Sequence, residues 1–279
     1  MAAVRDMAVR RAHAAGLRGL LLAGVDEADW QAQADLVANL PPDLAPTLTV
    51  ACAYGIHPQV VEEYRDDQLD QLLDVLSRCL KHAHPTLPAP QAVGELGLDA
   101  LTATRRDDLP RQERIFRAQL ALARAVDLPI VLHILRAHGD ALRVLRTDGV
   151  PAAGGVVHSY SGSADLVRDY VALGLSISFS GAVTLPQAHR LHQAVRVVPI
   201  DRLLIETDAP DQTPLSHRPT ANEPAFLPTI CAAVAALRGE DPQRLAQITA
   251  ENARRLFRLR KPGQNGPLSP PFSTENVPH

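Results

Sequence analysis

Pro129-Ile130-Val131-Leu132-His133-Ile134-Leu135 is a short apolar run with a single imidazole in its far half. A run of this length that is apolar on both alternating faces is the pattern of a strand buried on both sides, as in a parallel sheet. Six more segments share the pattern: GLLLAG (19–24), TVACAYG (49–55), AVGELG (92–97), GGVVHSY (154–160), LSISFSG (175–181) and RLLIETD (202–208). Between them lie longer stretches with 3.6-residue periodicity, at 3–16, 27–39, 66–83, 111–127, 137–147, 163–173, 186–196, 223–237 and 242–257. Ser163 is placed to cap the helix at 164–173, Pro186 to open one, and Asp241-Pro242 to serve as N-cap and first helical residue. Strands alternating with helices predict an α/β fold whose parallel strands are joined by right-handed crossovers. Two architectures fit: an open doubly wound sheet, and an eight-fold barrel entered one strand late.

The wider composition narrows the function. At 279 residues the chain has room for one α/β barrel. Its 28 Lys+Arg against 31 Asp+Glu leave a net charge of −3, so no general basic surface exists to grip nucleic acid by charge alone. Such a substrate has to be held locally, by a metal or a few basic side chains. Cys52, Cys79 and Cys231 are widely spaced and form no CxxC, which argues against a disulfide framework or a thiolate zinc site and suits a reducing, cytoplasmic compartment. No apolar run approaches the roughly 18–20 residues of a membrane span, so no membrane association is expected, and nothing points to an obligate protein partner. The Arg-rich start is read as mature sequence, because Asp6 interrupts it and it runs straight into the strand at 19–24. Residues 259–279 are rich in Pro, Gly, Ser and Asn, so the expected organisation is one barrel over 1–258 and a disordered tail.

Five ionisable residues sit at or just past the C-terminal ends of five strands, where barrel enzymes place their chemistry. They are His57, Glu95, His133, His158 and Asp208. Burying such groups without partners costs on the order of several kcal/mol each. Singly, each has an ordinary structural explanation: a hydrogen-bonded imidazole, a Glu95–arginine pair, an Asp208 turn. Five at one end of five strands point instead to a shared site. Two imidazoles, a carboxylate able to bridge and a second carboxylate suit Zn²⁺, Mn²⁺ or a similar divalent ion. Such an ion lowers the pKa of bound water, and Asp208 is placed to orient or deprotonate that water. Ser159–Ser163 offers backbone N–H groups at a helix start, which fits an anion site and a capped loop equally. Arg136 and Arg218 fit either phosphate contacts or surface ion pairs. The remaining histidines, on helices and loops, are read as structural.

The chain resembles the TatD family of metal-dependent deoxyribonucleases, among the amidohydrolase-like barrels. The resemblance rests on Gly55-Ile56-His57-Pro58, Val93-Gly94-Glu95-Leu96-Gly97-Leu98-Asp99, Gln119-Leu120-Ala121-Leu122-Ala123, Leu128 to His133, Val157 to Ser163, Ser178-Phe179-Ser180-Gly181, Leu203 to Pro210, Asn222-Glu223-Pro224 and Asn252 to Phe257. It implies a TIM (β/α)8-type barrel with seven recognisable strands, the first being missing. It also implies a deoxyribonuclease that cleaves DNA phosphodiesters with a metal-activated water. In that reading Glu95 bridges two divalent ions (Zn, Mn or Mg), His133 and His158 ligate one, and Asp208 ligates the other and handles the attacking water. His57 sits beside the scissile phosphate, with Arg136 and Arg218 as further substrate contacts.

Three features depart from the family pattern. The H-x-H pair of a first strand is absent from its usual place; His82-Ala83-His84 has the spacing but lies in a proline-rich loop. A start codon placed too late accounts for this, and so does a chain that lacks the strand and keeps one good metal site and one poor one. Gln59 stands where many relatives carry a second histidine, and Leu135 where many carry an arginine. The alternatives to a nuclease are hydrolysis of another ester or amide on the same centre, such as an aminoacyl-tRNA ester, and a weakly active or inactive remnant.

Overall fold

A computed structural model describes residues 2–259 apart from position 83. The tail expected at 259–279 therefore lies, beyond Leu259, outside the described residues. All seven anticipated strands form: β1 (Gly19–Leu22), β2 (Thr49–Tyr54), β3 (Ala92–Asp99), β4 (Ile130–Leu135), β5 (Gly155–Val157), β6 (Leu175–Phe179) and β7 (Leu203–Ile205). They pair in chain order, each parallel to the next. The sheet curls into the wall of a TIM-type barrel with β1 and β7 at its edges, so of the two architectures the barrel is the one adopted.

Helices α1 (Ala2–Ala14), α2 (Glu27–Ala38), α3 (Asp66–Lys81), α4 (Ala103–Asp107), α5 (Leu109–Val126), α6 (His138–Asp148), α7 (Ala164–Ala172), α8 (His189–Val197), α9 (Leu227–Arg238) and α10 (Pro242–Leu256) connect and follow the strands. The helical faces follow from spacing. In α3, Leu69, Leu72, Leu76, Cys79 and Leu80 recur at three- and four-residue intervals, and all are buried. The main core lies between the helices and the outer face of the sheet, with Leu175, Ile177 and Phe179 of β6 pointing into it.

Some helix starts differ from expectation. Asp241 caps α10 through its side chain, accepting from the Arg244 N–H. Ser163 holds the N-cap position of α7 without a side-chain bond. Pro186 does not open α8, which begins at His189; the residues before it form a turn in which Ala188 N–H donates to Leu185 O at 3.0 Å. The stretch at 223–237 opens with a short 3₁₀ turn, so α9 proper begins at Leu227.

The concave face of the sheet is layered. Ala53, Ala92, Val131, Val156 and Leu204 form an apolar floor closed by Phe257 from the end of α10. Side chains two apart on a strand share a face. The residues one step above Val131 and Val156 are thus His133 and His158, and those above Leu204 are Glu206 and then Asp208. On β3 the register shifts between Gly94 and Leu96, leaving Glu95 on a bulge at the same rim.

Candidate metal centre

Glu95 lies at the centre of three imidazoles. Its Oε2 is 3.1 Å from His57 Nε2, 3.0 Å from His158 Nε2 and 3.7 Å from His133 Nδ1. His133 Nδ1 and His158 Nε2 are 3.2 Å apart. The alternative partner for Glu95, an arginine, is not used among the described residues. Burial opposes the charge on Glu95, yet His158, His133 and His57 outweigh it and hold the carboxyl well below the ordinary carboxylate range. In return, Glu95 with Glu206 raises His158 well above the ordinary imidazole value against the effect of burial.

Two donor sets compete for a divalent ion. His57, Glu95 and His133 offer ligand atoms that all lie within 4.8 Å of one another. Glu95, His133 and His158 offer atoms 3.0–3.7 Å apart, close to the roughly 3.4 Å edge of a tetrahedron built on bonds of about 2.1 Å. Ring wiring decides between the imidazoles. A metal-ligating histidine gives its other ring N–H to a carboxylate or carbonyl, which fixes the tautomer and strengthens the ligand nitrogen. His133 Nε2 faces Asp99 Oδ2 at 3.3 Å, and His158 Nδ1 faces Glu206 Oε1 at 3.5 Å. His57 is wired the other way. Its Nδ1 accepts from Gln59 N–H at 3.1 Å, so Nε2 carries the proton and donates to Glu95. Burial pushes the His57 pKa down, which keeps that ring neutral. The donor chemistry therefore fits an ion on Glu95, His133 and His158, with His57 as a hydrogen-bond donor beside it.

The supporting carboxylates had no role in the sequence reading. Asp99 belongs to the quoted Glu95-to-Asp99 string, and its spacing on β3 is the signal that identifies it. It is fully buried and accepts from Gln59 Nε2 (2.8 Å), Leu101 N–H (2.8 Å) and Arg105 (3.2 Å) as well as facing His133. Burial alone would raise its pKa, but His133, the Leu101 N–H and Gln59 hold it below the ordinary value. Gln59, one of the departures from the family pattern, is thus a hydrogen-bond donor to Asp99. Glu206 accepts from the Ser159 N–H besides facing His158. Of the two readings of the 159–163 loop, an anion site or a capped loop, the Ser159 amide serves neither a free anion nor a cap: its acceptor is the chain's own Glu206 carboxylate.

Helix α5 fixes two rim loops at once. Gln119 is fully buried; its Oε1 accepts from Ile56 N–H (2.7 Å) and its Nε2 donates to Ile56 O (3.0 Å), clamping the turn into His57. Two helical turns earlier, Gln112 does the same for Asp99, with bonds of 2.8 Å to its N–H and 3.0 Å to its carbonyl. Gly97 lets β3 approach β4: a Cβ there would lie 2.1 Å from the carbonyl oxygen of His133.

Asp208 lies past β7 with φ 60, and Asn222 Nδ2 brackets its turn by donating to Thr207 O (2.6 Å) and Asp211 O (2.5 Å). Gln212 Nε2 donates to Asp208 Oδ2 at 2.6 Å. Burial first, then the charge of Glu206, raises the Asp208 pKa. No ion pair joins Asp208 to the Glu95 group among the described residues. Arg136 and Arg218 are exposed; Arg218 Nε donates to Thr213 O at 3.0 Å, and neither makes an ion pair among the described residues.

A model of the family described as "TatD related DNase" matches residues 1–258. An uncharacterized metal-dependent hydrolase, YabD, from Bacillus subtilis (strain 168) is 39% identical over 168 residues, covering 60% of this chain and 65% of its own. The 3'-5' ssDNA/RNA exonuclease TatD of Rahnella sp. (strain Y9602) is 37% identical over 260 residues, covering 91% of this chain and 92% of its own. The crystal structure of YjjV, a TatD homologue from Escherichia coli K12, superposes with a TM-score of 0.80 at 29% identity, covering 92% of this chain and 93% of that one.

Proposed function

The chain belongs to the TatD-related DNase family of metal-dependent hydrolases, and from that premise we propose that it hydrolyses phosphodiester bonds of single-stranded nucleic acid from the 3′ end. The substrate and polarity are those named for the Rahnella relative. Residues 1–258 form the catalytic unit. The observation that carries the reading is the pair of outer bonds on His133 and His158, which leave Nδ1 of one ring and Nε2 of the other turned towards Glu95.

Glu95, His133 and His158 would hold the divalent ion in this reading, and Asp208, within electrostatic reach of Glu95 and His158, would serve the reacting water. Bound there, the ion lowers the pKa of water towards neutrality and stabilises charge on a phosphoryl oxygen. Asp208, its pKa raised by burial, takes the proton of the attacking water. His57 lines the pocket beside the scissile phosphate and, by donating its Nε2 proton to Glu95, helps fix that carboxylate. Arg136 and Arg218 are exposed at the same end of the barrel and meet neighbouring phosphates. No described helix is long and apolar enough to cross a membrane. The three cysteines are free and buried, in keeping with a cytoplasmic setting.

The test uses the full chain loaded with Mn²⁺, Zn²⁺ or Mg²⁺ against oligonucleotides labelled at either end and against an aminoacyl ester, with and without a chelator. The expected result is chelator-sensitive release of 3′-terminal nucleotides that is lost in Asp208→Asn. Ester hydrolysis in preference to nucleotide release, or activity that survives Asp208→Asn unaltered, overturns the reading.

A further inference from the structure

Gln212 stands where three other side chains meet, those of Asp208, Ser159 and Ser180. Its Nε2 donates one hydrogen to Asp208 Oδ2 at 2.6 Å and the other to Ser159 Oγ. Its Oε1 accepts from Ser180 Oγ at 2.7 Å. Ser159 Oγ and Ser180 Oγ lie 3.1 Å apart, so the Ser159 hydroxyl has an acceptor once its oxygen has accepted from Gln212. Turning the amide over would aim Oε1 at the carboxylate and leave the Ser180 hydroxyl facing an NH₂ group. The donor and acceptor inventory therefore fixes the orientation.

The backbone has been shaped to make this crossing. Ser159 (φ 42), Asp208 (φ 60) and Gln212 (φ 54) are all left-handed without being glycine, a region that L side chains rarely adopt and that gathers at functional sites. The segments are also held independently of the side chains. A Cβ on Gly181 would lie 1.8 Å from the backbone oxygen of Gln212, so the turn after β6 and the 212 loop touch directly. Asn222 ties Thr207 to Asp211 just before it.

We propose that Gln212 is a positioning residue for Asp208: its carboxamide, braced by Ser159 and Ser180, holds one carboxylate oxygen so that the other meets the reacting water or ion from a fixed direction. This rests on the role given to Asp208 above. Loss of the amide leaves the loop in place, because Gly181 and Asn222 anchor it, but frees the carboxylate to rotate.

The test is Gln212→Met in the full chain, with Ser180→Ala as a second variant. Each is measured for kcat and KM on a single-stranded oligonucleotide with Mn²⁺, for the visible absorption spectrum with Co²⁺, and for thermal midpoint. Gln212→Met is expected to lower kcat by about 10–100-fold, the range for outer partners of a metal site, with KM within about twofold. Its cobalt spectrum shifts and its midpoint stays near that of the wild type. Ser180→Ala moves the same quantities less, in the same direction. An unchanged kcat and spectrum in Gln212→Met, beside an active wild type, overturns the positioning role alone. So does a kcat loss matched by a collapse of the thermal midpoint. A wild type that neither hydrolyses the oligonucleotide nor takes up cobalt overturns this inference together with the function it builds on.

Discussion

The floor and the rim of the barrel are built on the same strands, one side-chain step apart, and they obey opposite physics. Val131 and Val156 belong to a floor that Phe257 seals from below. His133 and His158, two residues further on, belong to a rim where the imidazoles and the carboxylates of Glu95, Asp99 and Glu206 face one another. The floor gains by excluding water, and what it contributes scales with apolar area. The rim gains little net stability, since desolvating its charges roughly offsets their attraction. The lesson is that a barrel divides its labour by height: stability is stored below and chemistry above.

The largest effect that separates the layers is on activity. Glu95→Gln is expected to remove bound metal and to lower kcat by about 10³-fold or more, measured by metal analysis and by end-labelled oligonucleotide turnover. A variant that stays folded and active would erase the contrast. Phe257→Ala is the counterpart in the floor. It should cost about 3–5 kcal/mol in denaturant unfolding while the folded fraction keeps wild-type KM and metal content. A change in KM would mean that floor and rim are coupled.

His138 sharpens the division. It sits on the rim side, at the start of α6, yet it behaves as a floor residue. Its Nδ1 contacts Tyr170 Oη at 2.8 Å, and its Nε2 is buried with no partner among the described residues. Burial pushes its pKa down to about 4. Because the unfolded chain binds this proton near pH 6.5 and the folded one only near pH 4, stability is complete above pH 6.5. It falls as the pH drops from there to 4. The loss by pH 4 is about 3 kcal/mol. His138→Asn should therefore show a shallower acid limb in unfolding free energy measured between pH 7 and 4.5. An equally steep limb would show that other groups carry it.

The smallest effect concerns the bonds that support the rim. Asp99→Asn replaces the buried carboxylate behind His133 with a group that can present an N–H to the ring. Metal affinity should fall about 10–100-fold, or about 1.4–2.7 kcal/mol, by calorimetric titration. Wild-type affinity in this variant would show that His133 needs no carboxylate behind it.

Much of this was legible in the chain. Apolar residues alternating with segments of helical period located all seven strands. The five ionisable residues at the strand ends were visible because each interrupts an otherwise apolar run. What stayed hidden is of two kinds. Pro186 has the composition of a helix start, but the turn closed by Ala188 and Leu185 outcompetes the helix until His189. Glu206 and Gln212 look like ordinary polar residues near Asp208, and the bonds they make exist only because Ser159 and Ser180 arrive from the ends of other strands.

The sequence by itself settled the layering, because the two-residue period of a strand is a local property: once Val131 faces the floor, His133 must face the rim. Only the tertiary structure decided which ring nitrogens of the rim histidines already have partners. A histidine is a ligand or a donor according to which of its two nitrogens already has a partner. For His133 that partner is Asp99 on the neighbouring strand, for His158 it is Glu206 from β7's end, and for His57 it is the backbone of Gln59. Strand spacing can put three imidazoles at one height, but only the packed loops behind them determine which nitrogens face inward.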